Sequence, residues 1–314
     1  MLEQRSAADT GIRGTERSNS TFSDLLVSEG LLYPSSVPGV YNRSATYERI
    51  ACGLEEAIGR LGAGQYEVVH TPPILPRETF DRSDYIRSFP HLMGSLHIFA
   101  GDDKAHADLV HRYASGGPWQ EMMQPAETVL SSAACHAVYP MCSGRLPEGG
   151  RHIEVTGFCF RHEPSSDPAR MQSFRMHELV CVDRPDAALG HRDRRLGDGL
   201  TFLSDLGLDM RCEIANDPFF GRLGTIMAET QLAETAKLEG LTTVSSDTEP
   251  TAIISGNYAL DHFTSAFSIE CAGGDDAHSS CVAFGIDRVV LALVRQHGTS
   301  PDRWSADVRS QLWP

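Results

Sequence analysis

Between Ser44 and Leu61 the apolar residues Tyr47, Ile50, Leu54, Ala57, Ile58 and Leu61 recur at steps of three and four, the spacing that gathers side chains on one face of a helix. Gly62 and Gly64 end that pattern. A strand-like run from Tyr66 to His70 follows and stops at Pro72 and Pro73, which have no amide hydrogen to continue a ladder. Strand character is weak over His91 to Phe99 and Glu127 to Ala134, and strong over His152 to Arg161 and Phe174 to Asp183. Helical spacing returns from Ala187 to Leu206, with Arg192, Arg194 and Arg195 on its polar face. Leu208 to Ile214 reads as a strand and Arg222 to Glu239 as a helix. Short apolar runs between Gly and Asp turns lead up to Ser280, and a last strand feeds a helix over Asp287 to His297.

Strands arriving as neighbouring hairpins, with helices between groups of them, predict an α+β fold: an antiparallel sheet flanked by helices, not a doubly wound parallel sheet. No internal repeat is visible. Residues 1–20 are polar, mixed in charge and nearly devoid of large apolar side chains, which predicts a disordered arm. Residues 21–314 are expected to form a single catalytic domain, with structure beginning near Phe22.

The 314-residue chain is 41% hydrophobic, enough for one large core. Nothing approaches the roughly 18 uninterrupted apolar residues of a membrane span, and the first 30 residues show no signal-peptide pattern, so a cytoplasmic protein is expected. The eight cysteines are then expected to be reduced and mostly buried. Net charge is −15, and the cations are nearly all arginine, with Lys104 and Lys237 the only lysines. Wrapping a large polyanion normally requires a basic surface, so the balance argues against tRNA as a partner.

Two arginine-bearing stretches suit a nucleoside triphosphate. Phe160-Arg161-His162-Glu163 ends one strand, the loop Pro164 to Gln172 carries Arg170, and Phe174 opens the returning strand; Gly285-Ile286-Asp287-Arg288 lies further on. Guanidinium groups contact phosphate oxygens in pairs, an aromatic face stacks on a purine, and the Glu163 carboxylate can accept hydrogen bonds from the base. No glycine-rich GxxxxGK[ST] loop occurs, so side chains must hold the phosphates.

These residues resemble the three signature motifs of class II aminoacyl-tRNA synthetases. The helix and strand ending at Pro72 and Pro73 resemble motif 1, Phe160 to Glu163 with the loop and Phe174-Arg175 resemble motif 2, and Gly285 to Arg288 resembles motif 3. The chain is similar to zinc-dependent seryl-tRNA synthetases and still more to their truncated homologues, the amino acid:[carrier protein] ligases. The resemblance implies ATP-dependent activation of a small amino acid, glycine favoured and alanine next, and its transfer to the phosphopantetheine thiol of an acyl-carrier-type protein. It also implies a homodimer built through motif 1, magnesium with ATP, and no tRNA-binding arm. Arg161 and Arg288 are the implied catalytic groups, with Glu163, Arg170 and Phe174 around the nucleotide. The relatives use acidic or amide residues before motif 3 for magnesium, which makes Glu249, Asn257 and Glu270 candidates.

In the zinc-dependent relatives a Cys, a Glu or His, and a Cys or His at comparable places hold one zinc ion, which points to Cys135, Glu178 and Cys281. Two thiolates and a carboxylate leave a fourth tetrahedral position for the substrate's neutral amine. Without the resemblance the two cysteines are small buried hydrophobes and Glu178 a paired strand residue. Cys135-His136 with Cys142 is a local alternative, and the choice of Glu178 over His177 rests on strand alternation. Arg184, Arg192, Arg194 and Arg195 are either a solvated helix face or a surface for an acidic carrier protein. Two rival functions stand beside the ligase: a seryl-type synthetase with a separate tRNA-binding subunit, and a catalytically silent regulatory paralogue.

Overall fold

The computed structural model describes residues 21–314, so the arm expected over residues 1–20 lies outside the described residues. Seven strands form the central sheet: β1 (Glu67–Thr71), β2 (Arg151–Phe160), β3 (Ser173–Asp183), β4 (Arg211–Ile214), β5 (Lys237–Thr242), β6 (Thr251–Leu260) and β7 (His278–Gly285). Their spatial order is β4-β5-β6-β7-β3-β2-β1. Neighbours run antiparallel from β4 through to β2. Only the edge strand β1 pairs in parallel, on β2. The sheet is thus mixed by one strand, a detail that the hairpin pattern did not carry.

Helices α1 (Ala45–Gly62), α2 (Pro185–Asp205) and α4 (Ile286–His297) cover one face, and α3 (Gly221–Ala233) follows β4. Ser44 caps α1 by accepting the Tyr47 amide hydrogen, and the expected stripe of Tyr47, Ile50, Leu54, Ala57 and Ile58 is buried. Strand alternation divides the core in two. On β7, Val282 and Phe284 pack with the helices, whereas Cys281 and Ala283 belong to the cluster on the opposite face with Tyr139, Val155 and Val180.

The weak strands over His91–Phe99 and Glu127–Ala134 are shorter or shifted, to Ser95–Ile98 and Gln124–Leu130, and with Ile74–Pro76 they form a separate three-stranded sheet. Residues 222–239 are not one helix: α3 stops at Ala233, and β5 pairs with β4 and β6 despite its helix-favouring Lys, Leu and Glu. β6 is one ten-residue strand that runs through Gly256, where the sequence shows short apolar runs between Gly and Asp turns. Gly256 is there for close approach, since a Cβ would stand 3.1 Å from Leu196 Cδ2 of α2. The arginines of α2 are not a solvated face either, because Arg192 and Arg195 are buried and only Arg194 is exposed. Arg195 donates from Nε to Tyr66 Oη at 3.0 Å and pairs with Asp198 at 3.0 Å, and Arg192 pairs with Asp193 at 2.7 Å.

A buried polar cluster pins α2 to the sheet. His191 Nε2 meets Tyr66 Oη at 2.7 Å and its Nδ1 meets Ser280 Oγ at 2.9 Å, so both ring nitrogens are engaged. Burial, with the His152, Arg195 and Arg194 charges, pushes the imidazole down to about 3. The folded state therefore excludes a proton that the unfolded chain takes up near its ordinary value of 6.5. Stability carried by neutral His191 is present above pH 6.5 and is lost as pH falls from there toward about 3. Denaturant midpoints measured across that window are expected to fall with acidification, and a His191→Gln variant is expected to fall less steeply between pH 6.5 and 5.5.

Candidate active site

The sheet face opposite α1, α2 and α4 opens into a cavity of about 510 Å³. Its lining includes Cys135, Glu178 and Cys281, and also Arg161, Glu163, Phe174, Asn257 and Arg288. The amine-side and nucleotide-side candidates therefore share one space.

Cys135 sits in the short 3-10 turn Ala134–Ala137, Glu178 on β3 and Cys281 on β7. Their ligand atoms all lie within 4.8 Å of one another, and all three residues are buried. Glu178 Oε1 accepts the Ala134 amide hydrogen at 2.8 Å, and Oε2 accepts the Cys281 thiol hydrogen at 2.9 Å. The Cys281 hydrogen bond tends to lower the Cys135 thiol, but burial and the Glu178 charge outweigh it and push the thiol up to about 11. The Cys281 thiol is raised well above its usual value by its hydrogen bond to Cys135, by burial and by Glu178. Two thiolates beside a carboxylate are thus untenable in this space without a compensating cation. The donor set fits a thiophilic divalent ion such as zinc, with the backbone amide of Ala134 orienting the carboxylate.

The alternatives lie elsewhere. His177 points to the helix side and meets Glu154 Oε1 at 3.1 Å. Cys142 is buried beside Arg151, whose Nη1 lies 3.8 Å from its sulfur. His136 does line the cavity, and burial together with the Arg161 and His262 charges lowers it to about 4.

Arg161 stands at the end of β2, its Nε donating to Ser132 O at 3.3 Å and its guanidinium 5.4 Å from the Phe174 ring centroid. Burial opposes its charge, but Tyr85, Cys159, Asp217 and Glu163 outweigh this and raise its pKa. Arg288, at the start of α4, donates from Nε to Ala169 O at 2.9 Å and from Nη1 to Ala252 O at 3.0 Å. Burial lowers its pKa, and repulsion from Arg161 and Arg170 adds to this. Among the described residues neither Arg161 nor Arg288 has a carboxylate partner within 4.0 Å. Two half-buried guanidinium groups that face one cavity without an ion-pair partner suit an anionic ligand.

Arg170 is exposed, 3.4 Å from Glu163, at the rim rather than in the lining. Glu249 and Glu270 are exposed and outside the cavity; Glu270 lies 3.7 Å from Arg145 on a separate two-stranded sheet. Of the three magnesium candidates only Asn257 faces the cavity. Sequence reasoning missed Glu239, Lys237, Asp217 and Gln231, which line it as one network: Lys237 Nζ is 2.5 Å from Asp217 and 2.9 Å from Glu239, and Gln231 Nε2 donates to Asp217 at 2.9 Å. The period-two alternation of Lys237 and Glu239 was their signal, hidden by the helical reading of that stretch.

A purified chain is expected to retain one divalent metal ion through dialysis. Elemental analysis should find that Cys281→Ser loses most of it, at least tenfold in occupancy, whereas Cys142→Ser keeps it.

No family model matches the chain. It is 39% identical to amino acid–[acyl-carrier-protein] ligase 1 of Bradyrhizobium diazoefficiens over 288 residues, covering 91% of this chain and 88% of that protein. Ligase 2 of the same organism is 38% identical, covering 91% and 86%. The type-2 serine–tRNA ligase of Methanopyrus kandleri is 23% identical, covering 82% of this chain and 53% of its own length. Among solved structures, M. kandleri SerRS in complex with A. aeolicus tRNASec superposes with a TM-score of 0.79 at 20% identity, over 93% of this chain and 60% of that one. The fold is therefore that of class II aminoacyl-tRNA synthetases, an antiparallel sheet flanked by helices, and the chain is a ligase belonging to the amino acid–[acyl-carrier-protein] ligase family.

Proposed function

We propose that residues 21–314 form one catalytic domain that activates a small amino acid with ATP and passes it to the phosphopantetheine thiol of a carrier protein. The observation that carries this reading is the single cavity in which Cys135, Glu178 and Cys281 adjoin Arg161 and Arg288. In the first step a carboxylate oxygen of the amino acid attacks the α-phosphorus of ATP, pyrophosphate leaves, and an aminoacyl adenylate remains. In the second the acceptor sulfur attacks the carbonyl carbon, AMP leaves with the bonding electrons, and the thiol proton passes to solvent.

The protein contributes positioning and charge compensation rather than a nucleophile. Phe174 offers a face for the purine, and Arg161, whose guanidinium lies against that ring, is the group that would meet a phosphate. Arg288 approaches from α4, and Glu163 at the end of β2 is in place to accept from the base. Asn257 and Glu239 offer oxygens for the magnesium that accompanies ATP. The Cys135, Glu178 and Cys281 donors would hold zinc, which when bound supplies a Lewis-acid position for the neutral α-amino group. Tyr139 is fully buried beside these donors and stacks on Phe263 with centroids 4.4 Å apart, a rigid wall that supports a short side chain, glycine before alanine. A homodimer through α1 and the exposed edge β1, and a cytoplasmic location without tRNA as partner, complete the reading.

Pyrophosphate exchange with each amino acid in turn is expected to give the highest kcat/KM with glycine and less with alanine, and to be lost on chelation. Arg288→Ala should lower kcat/KM by about 10²–10³. Efficient aminoacylation of total tRNA without transfer to any carrier protein would sink the reading, and absence of exchange with every small amino acid would favour a silent paralogue.

A further inference from the structure

The loop joining β2 to β3, residues 164–172, carries much of the nucleotide side of the cavity, because Ala169 O anchors Arg288 and Arg170 meets Glu163 at its rim. Exposed hairpin loops of this length are ordinarily mobile, and ordering one on binding costs affinity. This loop is instead held by the protein itself. Asp167 Oδ1 accepts the Ala169 amide hydrogen at 2.9 Å and the Ser245 hydroxyl at 2.5 Å, and Ala169 and Met171 are buried in the helix-side core.

The remaining ties come from the hairpin formed by Leu32–Pro34 and Tyr41–Arg43. Gln172 donates from its backbone to Gly39 O and from Nε2 to Pro38 O, each at 2.8 Å. Gly39 has φ +78°, and a Cβ there would stand 3.1 Å from Arg170 O and 3.2 Å from Gln172 Cγ, so both its backbone angle and its closeness to the loop call for glycine. Arg43 Nη2 donates to Ser173 O at 2.8 Å and touches Met171 Sδ at 3.5 Å.

The same Arg43 reaches a second element. Its Nε lies 2.9 Å from Asp287 Oδ1, a close ion pair rather than an aligned hydrogen bond. Asp287 immediately precedes Arg288, is buried, and takes the Arg175 amide hydrogen on Oδ2 at 2.6 Å and the Tyr47 hydroxyl on Oδ1 at 3.0 Å. The Arg43 guanidinium is itself packed near the Phe158 and Tyr47 rings, with centroids at 5.5 and 5.9 Å. One side chain thus bridges the exit of the nucleotide loop and the first turn of the helix that carries Arg288.

We propose that Arg43 is a positioning residue for ATP: with Gln172 it holds the 164–172 loop and the Arg288 helix in fixed relation before the nucleotide arrives. This rests on the nucleotide reading of Arg161 and Arg288 given above. Arg43 touches no substrate, and its effect falls on ATP rather than on the amino acid, whose donors stand on β3, β7 and the turn at Cys135. Lysine cannot replace it, because a single ammonium lacks the fork that faces Asp287 and Ser173 O at once.

The test uses the full metal-loaded chain, comparing wild type with Arg43→Lys and Gln172→Ala in amino-acid-dependent pyrophosphate exchange, in direct calorimetric titration with ATP, and in denaturant unfolding. Each variant is expected to raise the ATP KM and Kd about tenfold, the scale of losing one charge-assisted hydrogen bond, while the glycine KM and the metal content stay within twofold of wild type. ATP constants within twofold of wild type in both variants overturn the proposal. So does a parallel rise in ATP and glycine KM that tracks a lowered unfolding midpoint. A wild type that binds ATP but shows no exchange removes the ligase reading alone, since the variant ATP affinities still decide the role of Arg43.

Discussion

The register between β3 and β7 is the constraint from which the site follows. Cys281 lies opposite Val180 and Ala283 opposite Glu178, so Glu178 and Cys281 are diagonal neighbours on one face. A slip of one residue on either strand would send one of the two into the helix-packed core and bring a partner such as His177 or Val282 to the cavity. That register is strongly fixed because each face is committed to a different hydrophobic cluster, with Val282 and Phe284 on one side and Val180, Val182 and Ala283 on the other. Apolar packing thereby determines where the polar groups can be.

Buried charge around the sheet is handled in two ways. On the helix side buried ionic groups are matched, as Asp287 is with Arg43, and Arg175 with Glu48 at 2.9 Å. On the cavity side Lys237 is likewise matched, by Asp217 and Glu239, whereas Arg161 and Arg288 are oriented by carbonyl oxygens, which fix direction without neutralising charge. The stabilising network thus lies one strand's thickness from the uncompensated groups, and its rigidity is transmitted through residues that alternate between the two faces, such as Phe174 and Arg175.

Much of this was legible in the sequence where local pattern and tertiary role agreed. α1, β2, β3 and the β7–α4 junction have strong periodicity because each packs on the core, and strand alternation alone separated Glu178 from His177. Legibility failed where a backbone feature imitated another element. Gly256, required for close approach to α2, interrupts the apolar pattern of a continuous strand, and Lys237 to Glu239 looked helical while forming a central strand. The helix Asp103–Ala114 left no apolar stripe to find, since none of its residues is buried. Glu249 and Glu270 were candidates by order along the chain, which carries no information about side-chain direction. The convergence of Cys135 with Glu178 and Cys281 has no local signal, because the three come from separate elements, and resemblance alone suggested it.

The choice of cation has a chemical consequence of its own. Activated acyl groups react with free amines, whereas a guanidinium stays protonated at neutral pH and is inert toward them. The sequence holds two lysines, of which Lys237 is buried between two carboxylates and Lys104 alone is exposed. Under the function proposed here, an activated acyl group leaving the cavity would meet Lys104 as the one exposed side-chain amine of the chain, so acylation of the protein's own lysines is confined to a single position.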